Sequence, residues 1–260
     1  MISCILSATN ESSSHLRSRR KRYLRRDSTF PDRLWNLHKS RKVELIHILN
    51  EDYSKRQLTK GTDREVAISG LHNRIADALY CQNRYGIFEP HIHVDLLWQA
   101  VGSNLERIAY PGDRVPSWSW MAYTGGVRFI RIPARETVNW ATDLRFDNDN
   151  KSALIASVRI FQNCTTEQEN NRHIIWDSRR VKRGWIRYDV ETNVDLHGMR
   201  CVCLGKFRWR GKLWERQFGR VRYYMLVVRP TSVNGEYERI GLGVAETSCV
   251  GEKALNMKIV

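Results

Sequence analysis

Two pairs of residues stand at spacings that invite metal chemistry. Cys201-Val202-Cys203 puts both sulfurs on one face of an extended strand, where side chains alternate with a period of two. His91-Ile92-His93 offers two imidazoles just after Pro90. Zinc usually draws on cysteine pairs with more than one residue between them, and the Cys201/Cys203 spacing falls outside that pattern. The cysteines are therefore expected to be small buried hydrophobes, and the histidines to mark a partly exposed helix start. No metal and no other cofactor is expected.

A second pattern suits anions. FRWRGKLWERQFGRVRYY, residues 207–224, interleaves Arg208, Arg210, Lys212, Arg216, Arg220 and Arg222 with Phe207, Trp209, Trp214, Phe218, Tyr223 and Tyr224. Single-strand nucleic-acid binders combine basic groups along the backbone with rings that stack bases. The same alternation also arises in a strand with one buried and one solvated face. Nucleic acid is thus an alternative partner.

The third pattern is RVPSWSWMA, residues 114–122. Proline favours extended backbone around it, and an extended Pro116-Ser117-Trp118-Ser119-Trp120 turns both indoles to one side and both serines to the other. Two indoles on one side of a short strand are expected to clamp a helical layer onto a sheet; a ligand shelf is the other reading. No phosphate-binding glycine loop, nucleophile elbow, metalloprotease helix or kinase-like set occurs. No catalytic residue is therefore expected, and the chain is read as a non-enzyme.

These residues need elements to hold them. In 260 residues, 42% hydrophobic content suffices for a sizeable core, and the nine tryptophans should mostly be structural. The net charge of +15 is uneven: residues 15–26 hold seven basic groups and no acid, and without those seven the excess falls to +8. Residues 1–30 read as a disordered basic tail, with residues 31–260 forming a single domain, helical over 31–105 and β-rich over 114–248. The six cysteines are too scattered for a disulfide framework, and no apolar run is long enough to span a membrane. A cytoplasmic location is expected. The basic cluster from Arg17 to Arg26 also fits a nuclear-import signal, and the Ser- and Arg-rich residues 1–26 weakly resemble a mitochondrial presequence.

Helical spacing of Leu34, Leu37, Val43, Leu45, Ile46 and Leu49 predicts a helix ending near Asn50. Thr62-Asp63-Arg64-Glu65 fits a capping box, followed by an apolar stripe of Val66, Ile68, Leu71, Ile75, Ala78 and Leu79. A third short helix is expected over residues 93–101. From Pro116 on, strands are expected in VRFIRI, ALIASVRIF, HIIWD, GWIRYDV, MRCVCLGKF, VRYYMLVVRP and YERIGLGVA. Gly125-Gly126 reads as a turn, and residues 145–153 and 165–172 as exposed loops. The fold class is α+β, with N-terminal helices packed on a C-terminal antiparallel sheet or sandwich.

Several of these segments together resemble a known family. Tyr110 to Ala122, with PSWSW at its centre, is similar to the APSWSWAS signature found downstream of the HET domain in fungal heterokaryon-incompatibility proteins. In the family's order follow matches for its YS-x-R-x-LT segment (Tyr53, Ser54, Arg56, Leu58, Thr59), its D-x-x-x-AISG helix (Asp63, Ala67, Ile68, Ser69, Gly70) and its LLW (Leu96, Leu97, Trp98). YYMLVV at 223–228 and YERIG at 237–241 resemble its closing strand pair. The resemblance runs from about residue 44 to 246. It implies a role in nonself recognition and cell death, exerted through a protein partner. The opening motif of the HET domain does not occur in residues 1–43, so the chain is expected to lack that effector. No catalytic residue carries over.

Overall fold

A computed structural model describes residues 34, 37–56, 58–102, 105–111, 115–133, 136–190, 196–208 and 220–260. The expected basic tail and its cluster from Arg17 to Arg26 lie outside them. The helices come first and a largely antiparallel sheet follows, which is the expected α+β arrangement.

Helix α1 (Lys39–Ser54) runs one turn beyond the predicted end and buries Ile46, Ile48, Asn50, Glu51 and Ser54. Its last turn is occupied: Ser54 Oγ accepts the Val127 N–H at 2.9 Å and Glu51 Oε1 accepts that of Phe129 at 3.1 Å. These two amides lie on the open edge of β4 (Val127–Phe129), whose other edge pairs with β3 (Trp98–Ala100). Side chains three residues apart on a helix thus take the place of a neighbouring strand.

Helix α2 (Arg64–Leu79) buries Arg64, Ile68, His72, Ile75, Ala76 and Ala78. Its buried face is rotated from the predicted stripe, because Val66 is 69% exposed while two polar residues point inward. Nor does the expected capping box form: Thr62 and Asp63 belong to a 3₁₀ turn (Gly61–Asp63) that feeds straight into α2, and Asp63 makes no side-chain cap bond. The third predicted helix is cut short. Only Ile92–Asp95 (α3) is helical, since Trp98–Ala100 is drawn into pairing with β4. Between α2 and α3, β1 (Asn83–Arg84) and β2 (Ile87–Phe88) form a small hairpin.

The sheet contains β5 (Val138–Trp140), β6 (Arg145–Phe146), β7 (Leu154–Phe161), β8 (Cys164–Glu169), β9 (Arg172–Asp177), β10 (Lys182–Tyr188), β11 (Arg200–Arg208), β12 (Val221–Pro230), β13 (Glu236–Glu246) and β14 (Val250–Ile259). Its main path is β12-β11-β7-β14-β13-β10-β9-β8, and an added β12–β13 pairing closes β11, β7, β14, β13 and β12 into a ring. All pairings in it are antiparallel except β13–β14. Alternate residues Leu154, Ala156 and Val158 of β7 turn inward as predicted, to meet Leu226, Val228, Leu242 and Val244. Ile160 shares their parity but is 46% exposed. The opposite face of the sheet packs a second cluster that includes Ile175, Ile186, Cys201, Met225 and Val227.

Several strands were not expected. Strands β1, β2 and β5 fall where no element was predicted, and β3 replaces the end of the predicted third helix. Strand β6, with Phe146 buried, opens the stretch 145–153 that was expected to be an exposed loop. Residues 165–172 form most of the β8–β9 hairpin rather than a loop, turning at Asn170, which takes the left-handed φ of 53° that asparagine tolerates. Strand β14 lies beyond the last predicted segment and closes the ring against β7.

Candidate functional site

Pro116 to Trp120 are all buried, and Trp118 and Trp120 have no exposed surface. The expected clamp is present, but the indoles do not share a side. Ser119 Oγ accepts the Met121 N–H at 3.0 Å and starts a 3₁₀ turn (Trp120–Ala122), which swings Trp120 away from the direction of Trp118. Trp118 packs with the sheet cluster, near Tyr85 and Phe146, and its Nε1–H donates to Ser152 O at 3.2 Å. Trp120 packs with Ile68, Trp98 and Phe129 on the helical side, its ring edge-on to Tyr53 and His72. One ring enters each layer, and the short link between them joins the two.

Two buried arginines complete this joint. Arg239 is 1% exposed and Asp189 equally so. Arg239 Nε donates to Asp189 Oδ2 at 2.8 Å and Nη2 to Oδ1 at 3.1 Å, while Nη1 and Nη2 also reach Leu96 O at 2.8 Å and Trp98 O at 2.7 Å. Burial pushes the Asp189 carboxyl above its usual range, and the Arg239 guanidinium pulls against that. Ser117 Oγ accepts the Arg239 N–H at 2.8 Å and donates to Val260 O. On the helical side, Arg64 donates to Ser54 O and Gly125 O and lies 5.3 Å from the Trp120 ring centroid. Gly125 takes a φ of +88°, as the predicted Gly-Gly turn requires.

A cleft of about 740 Å³ opens beside this joint, between α1, the segment around α3, β4 and Trp140. His47 of α1 lies on its wall. The His47 ring stacks on Phe129 with centroids 3.9 Å apart and planes within 8°. Its Nε2 is 2.8 Å from Oδ1 of Asp95, which is 2% exposed and whose Oδ2 accepts the Phe88 N–H at 2.9 Å. A carboxylate oriented by a backbone amide holds an imidazole in one tautomer, the geometry used to prepare a base or an acceptor. Nothing in the sequence flags this pair, because the two residues are 48 positions apart and each sits in an ordinary helical context.

The histidines singled out from the sequence line the same cleft. His91 is 6% exposed rather than partly exposed, being enclosed in the 3₁₀ turn Glu89–His91 that precedes α3. His93 is half-buried; its Nε2–H donates to Ala141 O at 2.7 Å and its ring tilts against Trp140. Cys201 and Cys203 stand on β11 against the second apolar cluster, and a hydrogen bond between the two thiols together with burial raises the Cys201 pKa. Among the described residues, no group of three or more His, Cys, Asp or Glu is placed to hold a metal ion.

The basic and aromatic stretch divides. Arg210, Lys212 and Arg216 lie outside the described residues. Arg208 is exposed at the end of β11. Arg220 and Arg222 both donate to Glu246 Oε1, at 3.0 and 3.3 Å, so their charge is met within the protein. Phe207 and Tyr224 stack on one another inside the sheet, centroids 4.4 Å apart. The half-buried-strand reading accounts for the residues that are described.

Among the described residues, no helix is long and apolar enough to cross a membrane. Set against protein families, curated proteins and solved structures, the chain matches none.

Proposed function

We propose that this chain is a non-catalytic, protein-contacting region of a heterokaryon-incompatibility-type protein, acting in fungal nonself recognition. One observation carries the reading: the family-like segments, scattered from residue 53 to 241, meet in one interior joint. Tyr53 lies against Trp120 at 6.1 Å, and Ile68 packs in the same cluster. Trp98 Nε1–H donates to Trp118 O at 2.9 Å. Arg239 of YERIG grips Trp98 and binds Ser117 of PSWSW. Residues used up in holding two layers together are unavailable for turnover, which leaves the outer surface to act through contacts with other proteins.

Expression in a fungal host, alone and beside an intact HET-domain protein, tests the reading. Growth or viability should fall when the HET-domain protein is present. No change under either condition would overturn it.

A further inference from the structure

The cleft beside α1 has most of its polar lining already engaged. Glu51 receives the Phe129 N–H, His93 donates to Ala141 O, and Arg41 pairs with Glu44 at 3.3 Å. Two groups stand apart. Neither Nδ1 of His47 nor the guanidinium of Arg131 has a hydrogen-bond or ion-pair partner among the described residues, and both residues line the cleft.

Asp95 decides what His47 offers. A carboxylate only accepts, so in the neutral ring the Nε2 beside it carries the proton and Nδ1 presents a lone pair, which calls for a donor on the ligand. Arg131 calls for an anion. A single free guanidinium fits a carboxylate, whereas phosphate sites gather several cations or a helix N-terminus. Between the two, the lining is apolar and aromatic, with Val43, Phe129, Ile130, Ile132 and Trp140, and the volume falls within the range of small-molecule sites.

We infer that this cleft binds a small aromatic carboxylate that also carries a hydrogen-bond donor, such as an indole or hydroxyphenyl acid. The ring lies against the Ile132 and Trp140 walls, the carboxylate meets Arg131 and the donor meets His47 Nδ1. This site is independent of the incompatibility reading, which concerns the interior joint.

Titration calorimetry of the full chain with indole-3-acetate at low salt tests it. Saturable binding is expected. The methyl ester, which removes the charge, and the N-methylindole acid, which removes the donor, should each bind roughly tenfold more weakly. Arg131→Gln should weaken the acid by a similar factor and leave the ester unchanged. Absence of saturable heat into the millimolar range overturns the inference, as does equal binding of acid and ester. Arg131 is exposed; should its variant nonetheless fail to fold, the acid and ester comparison on the unaltered chain decides.

Discussion

The Arg239 guanidinium sits 3.4 Å from the centre of the Trp98 ring while both of its outer nitrogens bond main-chain oxygens of the Leu96–Trp98 segment. A strand of the sheet thereby holds the loop that leads from the helices into β3. Asp189 neutralises that guanidinium from a third direction.

Removing Arg239 would leave the Asp189 carboxylate buried with its main counter-ion gone. Arg239→Met is expected to cost about 3–5 kcal/mol, the usual penalty for breaking a buried pair. Adding Asp189→Leu should restore part of it, since the second change removes the orphaned charge. Urea denaturation of the two variants measures both quantities. A single-variant cost below about 1 kcal/mol would show that Arg239 is not the tie between the layers.

Acid should loosen the helical layer through His72. It is 1% exposed, with Nε2 2.9 Å from Asn50 Oδ1 and its ring edge toward Phe88 and Trp120. Burial holds its pKa down to about 4, against an ordinary 6.5. Above pH 6.5 both folded and unfolded chains keep it neutral. As pH falls from 6.5 toward 4 the unfolded chain takes up a proton that the fold refuses, so stability drops, by about 3 kcal/mol at pH 4. His72→Gln, which keeps a donor toward Asn50, should flatten the stability curve by about 2–3 kcal/mol between pH 7 and 4.5. Parallel curves for the two proteins would remove His72 as the cause.

Gly86 should be irreplaceable. Its φ is +79°, and a Cβ there would lie 2.9 Å from both Met121 Cε and Trp120 Nε1. Gly86→Ala therefore combines a left-handed backbone penalty with overpacking of the Trp120 site, about 2–4 kcal/mol together. Thermal unfolding and near-ultraviolet circular dichroism check it. Full stability with an unaltered tryptophan signal would contradict the packing around Trp120.

How far the sequence reveals this fold depends on whether a residue's role is local. Strand β7 is legible because one buried face imposes alternation on its residues, and β12 and β13 because burial on both faces gives them nearly continuous apolar runs. Strands β8 and β14 are not: CTTEQE and the middle of VGEKALNMKI expose most of their side chains, so pairing with distant partners, and not apolar content, makes them strands. The burial of PSWSW could be read from its composition, whereas the divergence of its two rings depends on the Ser119 turn. Arg239 and Arg64 read as surface charges until the oxygens that surround them are placed. His47 and Asp95 are invisible for the same reason, their meaning arising only when α1 is laid against α3.

The anion-binding reading of residues 207–224 meets its sharpest test at Glu246. That carboxylate, 5% exposed, accepts from Arg183 at 2.8 Å as well as from Arg220 and Arg222. Glu246→Gln would leave three guanidinium groups crowded at the end of β13, two of them largely shielded from solvent, at an expected cost of about 2–4 kcal/mol in denaturant. If these arginines serve the fold, Arg220→Gln with Arg222→Gln should leave low-salt affinity for a single-stranded DNA oligonucleotide unchanged. Phosphate ligands behave otherwise: losing two of them would weaken binding and reduce its salt dependence by close to two ions. That second pattern would return the stretch to nucleic-acid recognition and make Glu246 its regulator instead of its structural partner.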